Sequence, residues 1–174
     1  MQCTAILDAL SWRVGMNCMV NEASMRKILA AVDGSTPSEK GAKYATRLAE
    51  LANAELLLTH VIEDIKMGGA IGLQAKYGNI SLVEGYNRAR KESALQWIRP
   101  LEDYARNKKV KVRSEILYDT GKSVTGMIVD YAKNNDVDLI VVGTRGHSRF
   151  KQLLVGSVAN GVSNHAQCPV FVVR

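Results

Sequence analysis

A doubly wound α/β domain is the fold the sequence predicts, with a five-stranded parallel sheet in the order 3-2-1-4-5, and three observations carry that prediction. Short continuous apolar runs recur at Ile28–Val32, Leu56–Val61, Leu139–Val142 and Val170–Val173, too short for helices and without the alternation of a half-exposed strand. Between them lie segments with apolar residues at helical spacing, so strands and helices alternate along the chain. Parallel strands need crossover connections, which run right-handed, and this confines the topology to the doubly wound family.

The elements follow in order from about Lys27. The first strand, Ile28–Val32, ends at Asp33-Gly34. Thr36-Pro37-Ser38-Glu39 then reads as a capping box with proline at the first helical position, and Ala45, Leu48, Ala49 and Ala52 continue as a helix. After the second strand, the stretch from Val61 to about Ile80 carries Gly68, Gly69, Gly72 and Gly78 and is longer than an ordinary connection, so it reads equally as a lid or as a plain loop. Ser81 and Glu84 form a second capping-box pattern. A long helix follows, with Tyr86, Ala89, Leu95, Ile98, Leu101 and Ala105 on one stripe and Pro100 expected to kink it.

Val110, Val112 and Ile116 alternate with Lys111, Arg113 and Glu115, which places the third strand at a sheet edge. Val124, Met127, Ile128, Tyr131 and Ala132 mark the next helix, and Ser157–His165 a short one between the last two strands.

Composition bounds the function. With 174 residues, 47% hydrophobic and 23% charged, the chain suits one soluble domain with a substantial core, and no run of residues is long and apolar enough for a membrane span. No secretory signal is expected, since Asp8 interrupts the first apolar stretch and no basic residue precedes it. Cys3, Cys18 and Cys168 are too few and too scattered for a disulfide framework or a zinc site, so a cytoplasmic location is expected. Residues 1–24 lack a clear period and read as an N-terminal extension, in contrast to the sharply patterned domain of residues 25–174.

The net charge of +6 is uneven: no acidic residue follows Asp138, while Arg145, Arg149, Lys151 and Arg174 do. Nucleic acid is disfavoured as the partner, because there is no zinc-finger spacing and no continuous basic helix. One anion-binding site accounts for the asymmetry more simply.

That site is written in Gly143-Thr144-Arg145-Gly146, nine further residues, and Gly156-Ser157, directly after the fourth strand. Glycine lets backbone approach an anion without a Cβ in the way, and amides at a helix start point at it with the helix dipole behind them. Asp33 closes the first strand and Gly143 follows the fourth, so the predicted order brings both to the switch-point crevice where such sheets bind ligands. Taken singly, Gly143 and Gly146 also suit ordinary turns, Ser157 a helix N-cap, and Asp33 a strand-end turn. His147 stays ambiguous, and His165 suits a structural place at a helix C-terminus.

Gly121-Lys122-Ser123 resembles the end of a Walker motif, but Ile116 stands where the first glycine of that motif belongs and the preceding strand is an edge strand. The Walker reading fails.

Several segments also resemble one family. The opening Lys27–Ser35, the run Asp138–Gly146, Gly156-Ser157-Val158-Ala159 and the closing Cys168–Val173 resemble the ATP-binding subgroup of the universal stress protein family, over residues 25–174. The resemblance implies an adenine nucleotide alpha hydrolase-like fold, with ATP, ADP or AMP as ligand and Mg or Mn as a candidate companion. It also implies a homodimer and a cytoplasmic, stress-linked role with a protein partner that the sequence leaves unknown.

By the same resemblance Gly143, Gly146, Gly156 and Ser157 would contact phosphates and ribose, with Val158 in the same segment. Asp33 would lie near the ribose or a metal, Val61 would offer backbone groups to adenine, and Val32 and Val142 would line the pocket. A nucleotide-dependent binding module is the leading reading, and no residue is assigned to catalysis. The competing reading is a weak metal-dependent ATPase, or self-phosphorylation at Ser157 or Thr144. The apolar last strand, Val170–Val173, lies at a sheet edge and is expected to pair with a second copy.

Overall fold

A computed structural model describes residues 25–63, 80–118, 121–144 and 155–174. The N-terminal extension, most of the glycine-bearing stretch after Val61, and residues Arg145, Gly146, His147, Arg149 and Lys151 lie outside the described residues. Within them the order is β1 (Lys27–Ala31), α1 (Thr36–Ala52), β2 (Glu55–Ile62), α2 (Ile80–Asn107), β3 (Val112–Tyr118), α3 (Val124–Asn134), β4 (Leu139–Gly143), α4 (Ser157–His165) and β5 (Val170–Val173). The five strands form one sheet in the order β3-β2-β1-β4-β5, and every pairing is parallel. This is the predicted topology.

Successive strand residues face opposite sides of the sheet, and both sides are covered. Ile28, Ala30, Leu56, Leu58 and Val141 pack with Ala42, Ala45 and Ala49 of α1 and with Ile98, Leu101 and Ala105 of α2. Leu29, Leu57, Ile140 and Val142 pack on the other side with Ile128, Tyr131 and Ala132 of α3 and with Ala159 and Val162 of α4. Two apolar layers explain why the central strands read as unbroken runs. The edge strand β3 carries no fully buried residue, as its alternation predicts.

Asp138 ties the lower ends of β1 and β4 together. Its Oδ2 accepts from the amides of Arg26 at 2.7 Å and Lys27 at 2.9 Å, while its own amide donates to the Lys27 carbonyl at 2.9 Å.

Three local expectations need correction. The N-cap of α1 is Ser35, not Thr36, so Pro37 occupies the second helical position; the Ser35 hydroxyl accepts from the Ser38 amide at 3.4 Å. Asp33 holds Ser35 in that role by accepting from its amide at 3.0 Å and its hydroxyl at 2.5 Å, which shifts the cap by one residue and leaves Glu39 outside a capping box. Ser81 and Glu84 both lie inside α2, which has already begun at Ile80, so the capping box does not open that helix.

Tyr86 and Ala89 are exposed, and the buried stripe of α2 starts only at Ala94. The reason is length: 28 helical residues span about 42 Å at ~1.5 Å each, whereas the eight-residue β2 spans about 26 Å, so the first turns overhang the sheet. Pro100 sits within α2 without ending it.

Tyr131 links α3 to the sheet edge, its hydroxyl donating to Glu115 Oε2 at 2.9 Å. Burial first, and this hydrogen bond second, push the phenol up to about 12. The unfolded chain loses that proton near pH ~10 and the folded chain only near 12, so Tyr131 stabilises the fold fully below about 10 and loses this contribution as pH rises through that window. The urea midpoint of the parent is therefore expected to fall more steeply between pH 10 and 12 than that of Tyr131→Phe. Equal slopes would refute the assignment.

Candidate functional site

At the carboxyl ends of β1 and β4, where the chain reverses its winding direction, the sheet opens into a cavity of about 200 Å³. The location follows from the topology, because the connections after β1 and β4 lead to helices on opposite sides of the sheet and a crevice opens between them. Val32 and Asp33 leave β1 into it, Val61 comes from β2, and Val142 and Gly143 end β4 against it; Gly156, Ser157 and Val158 reach it from the start of α4. Eight of the nine predicted binding residues thus share one cavity, although Asp33 and Gly143 stand 110 positions apart. The ninth, Gly146, lies outside the described residues.

The two helix starts that face the cavity differ. α1 is closed by Ser35, and Ser38 within its first turn donates to the Ser35 carbonyl at 2.9 Å and accepts from the Asp33 amide at 3.2 Å. α4 has Gly156 as its N-cap, in an extended conformation with φ −68° and ψ 159°, and among the described residues no side chain caps it. Ser157 is therefore the first residue of the helix and not its cap, which removes the plain N-cap reading of that serine. First-turn amides have no partner within a helix, and the residues that carry them here, Ser157, Val158 and Ala159, line the cavity at the positive end of the helix dipole. The Gly156 amide is itself spent on the Thr144 carbonyl at 2.6 Å, and Thr144 in turn donates its amide to Val173 at 2.6 Å, so the β4 exit, β5 and the α4 start are fastened together.

Gly143 is glycine for a different reason from the one its sequence context suggests. It shows no positive φ among the described residues, so it is not a turn glycine. A Cβ there would lie 2.7 Å from the Ser38 nitrogen and 2.8 Å from the Pro37 carbonyl carbon. The close approach is to the backbone of α1.

Asp33 is the carboxylate of the cavity wall, and its Oδ1 is engaged by Ser35. Among the described residues no three His, Cys, Asp or Glu side chains gather as a metal cluster. A metal held here would draw on Asp33 and on the ligand's own oxygens, the mode magnesium adopts with phosphates.

The wall residues that a reading of the sequence does not assign to binding include Thr59 and His60. His60 Nδ1 donates to the Val32 carbonyl at 2.7 Å, and its ring meets Trp97 edge-on at 5.2 Å. The signal available was their position beside Val61 at the carboxyl end of β2. Which way each faces is settled only by the register Ala31↔Thr59 across to β1. Gly121-Lys122-Ser123 serves α3 instead: Ser123 caps that helix by accepting from the Gly126 amide at 3.1 Å, and Lys122 pairs with Asp130. Those residues stand apart from the cavity wall.

The fold and the cavity together define a class: a doubly wound α/β domain with a switch-point crevice opening on a glycine-capped helix start. The Universal stress protein family profile matches residues 25–174, and the chain belongs to that family. It is 33% identical over 150 residues to universal stress protein YxiE of Bacillus subtilis, covering 85% of this chain and 98% of that one. The universal stress protein UspA of Lactobacillus plantarum superposes with a TM-score of 0.68 at 25% identity, over 86% of this chain and 98% of its own. A universal stress protein of Archaeoglobus fulgidus, solved in complex with dAMP, shares the fold with a TM-score of 0.58 at 24% identity, over 86% of this chain and 98% of its own.

Proposed function

We propose that this chain binds an adenine nucleotide, ATP included, in the switch-point cavity and acts as a nucleotide-dependent binding module of a cytoplasmic stress response. The observation that carries the reading is the convergence of Asp33, Gly143 and the glycine-capped start of α4 on one cavity whose remaining wall is largely valine and alanine. Phosphate suits the amide end and a flat base suits the apolar end. The dAMP complex of a family member supports adenine as the base. In this reading Gly143, Gly146, Gly156, Ser157 and Val158 hold the phosphates and ribose, Val32, Val61 and Val142 flank the base, and Asp33 holds the ribose or, with Mg or Mn bound, the metal.

The test is to denature the purified protein, identify what it releases by mass spectrometry, and titrate ATP, ADP and AMP into the emptied protein. Adenine nucleotide released or bound, and a rise in Tm with added ATP, are expected. Gly156→Val is the matched control, because φ −68° is open to any residue; it is expected to weaken ATP at least tenfold while moving Tm by only a few degrees. A parent that neither carries nor binds nucleotide would sink the proposal. The same samples, followed for their ATP to ADP ratio, separate binding from slow metal-dependent hydrolysis or self-phosphorylation at Ser157 or Thr144.

Assembly as a homodimer belongs to the same proposal. β5 ends the sheet, and Phe171 on it is 42% exposed, with the exposed Tyr44 ring edge-on to it at 6.1 Å. An apolar edge strand is open to pairing with a second copy. Light scattering is expected to return the dimer mass, and a monomer would remove this part.

A further inference from the structure

The end of the sheet opposite the switch-point cavity carries a groove of about 750 Å³. It lies at the amino ends of β1, β2 and β3, and five cationic residues line it: Arg26, Lys27, Lys108, Lys109 and Lys111. Its acidic residues are Glu50, Glu55 and Asp136.

Bonds within the chain account for only part of this charge. Lys111 pairs with Glu55 at 3.5 Å, Lys27 Nζ donates to the Asn135 carbonyl at 2.7 Å, and Glu50 is held from outside the groove by Arg47 at 2.7 Å. Among the described residues Arg26, Lys108 and Lys109 form no ion pair, and all three are exposed. Of the groove's acids only Asp136 is left to set against them.

Lys109 stands where a helix end does not call for lysine. α1, α2 and α3 all finish at this end of the sheet, and each is followed by a left-handed residue: Asn53 at φ +52°, Lys109 at φ +59° and Asp136 at φ +52°. Asparagine and aspartate enter that conformation readily, and lysine does not. A cation gains from the negative end of a helix dipole, but at an exposed site that gain is smaller than the left-handed penalty, and Lys108 beside it already supplies one. Helix termination alone therefore does not account for Lys109.

The backbone decides which anion suits the groove. Compact phosphate sites use free amides at helix N-termini. Here three helices present their carbonyl ends, and the amides of Asn53, Ala54, Glu55, Lys109, Val110 and Asp136 all donate to backbone carbonyls. A compact multivalent anion pressed into the groove would meet that negative end, whereas an extended chain bearing carboxylates meets the rim, where long side chains carry the positive charge outward. Arg26 and Lys111 flank the start of β2, since their carbonyls accept from the Glu55 and Leu56 amides, and two strand spacings set them about 10 Å apart. An extended peptide crosses that width in about three residues.

We propose that this groove is a docking surface for an acidic, extended segment of a partner protein, held by Arg26, Lys108 and Lys109. The surface lies across the sheet from the switch-point cavity and does not depend on what that cavity binds.

The experiment follows a fluorescein-labelled peptide of alternating aspartate and serine by fluorescence polarisation, at low and at physiological salt, with inorganic tripolyphosphate and a single-stranded oligonucleotide as competitors. The full-length parent is expected to bind the peptide, more weakly as salt rises. Arg26→Glu with Lys108→Glu and Lys109→Glu is expected to weaken it at least tenfold. Lys40→Glu with Arg88→Glu and Lys91→Glu, an equal charge change at exposed residues outside the groove, is expected to stay within about twofold. Lys109→Gly is expected to weaken the peptide about threefold and to melt no lower than the parent, because it relieves the left-handed lysine.

No binding by the parent, equal losses in the two triple variants, or a lower Tm for Lys109→Gly would each overturn the proposal. Tripolyphosphate or the oligonucleotide displacing the peptide at concentrations below the peptide's own Kd would overturn the choice of a protein segment. Tighter peptide binding in full-length Asp8→Asn with Glu22→Gln would overturn it as well, by showing that the chain's own N-terminal segment holds the groove. Each of these outcomes leaves the nucleotide proposal standing.

Discussion

Gly34→Ala is expected to cost about 2–4 kcal/mol of stability, combining a left-handed backbone penalty of ~1–2 kcal/mol with the strain of an overpacked contact. Gly34 has φ +82°, and a Cβ there would lie 2.4 Å from Trp97 Cε2 and 2.5 Å from Cδ2. The indole cannot simply step aside, since Trp97 packs against the α1/α2 core and stands edge-on to His60. His60 in turn holds the Val32 carbonyl, so the disturbance reaches the cavity wall and ATP affinity is expected to fall with stability.

Urea unfolding of Gly34→Ala, Trp97→Leu and the double variant separates the two causes. If the clash dominates, the double variant is less destabilised than the sum of the singles, a coupling of contacting residues. If the left-handed backbone dominates, the two effects add. No loss in Gly34→Ala would contradict the geometry outright.

The sequence was most legible where one physical demand dominates. β1 and β4 declared themselves because both of their faces meet apolar layers, and β3 declared itself because only an edge strand tolerates Lys111, Arg113 and Glu115 in alternation. The meeting of Asp33 and Gly143 at one cavity was legible for the same reason, since topology sends residues following β1 and β4 to one place.

Competition between neighbouring candidates was harder to read. In Ser35-Thr36-Pro37-Ser38 the cap is chosen by Asp33, two residues upstream, and no local pattern weighs that hydrogen bond. Tyr86 and Ala89 fit the helical period of α2 but lie beyond the sheet, because periodicity records the face of a helix and not where its partner ends. Thr59 and His60 sit inside an apolar run, and their placement depends on cross-strand register.

The second large effect is expected at Gly143, and it bears on how binding losses at the glycine motif are to be understood. A methyl group on Gly143 would come within 2.7 Å of the Ser38 nitrogen, 2.8 Å of the Pro37 carbonyl carbon and 3.1 Å of Pro37 Cβ. The first two are backbone atoms at the start of a helix, and Pro37 stiffens them further, so β4 or α1 must shift bodily. Gly143→Ala is expected to lose about 2–4 kcal/mol, and at ~2–4 °C per kcal/mol for a domain of this size Tm falls by roughly 4–16 °C. Ser38 and Gly143 both line the cavity, so under the proposed function ATP affinity is expected to fall as well. Loss of binding in a Gly143 variant is then a consequence of moved walls and carries no proof of a phosphate contact. Gly156→Val, which replaces a residue of ordinary φ at the helix start, is expected to lose ATP with little change in Tm. Thermal melts and ATP titrations of the two variants side by side distinguish the roles. Were Gly143→Ala to melt with the parent and lose only ATP, Gly143 would be a direct ligand contact and its packing against α1 incidental.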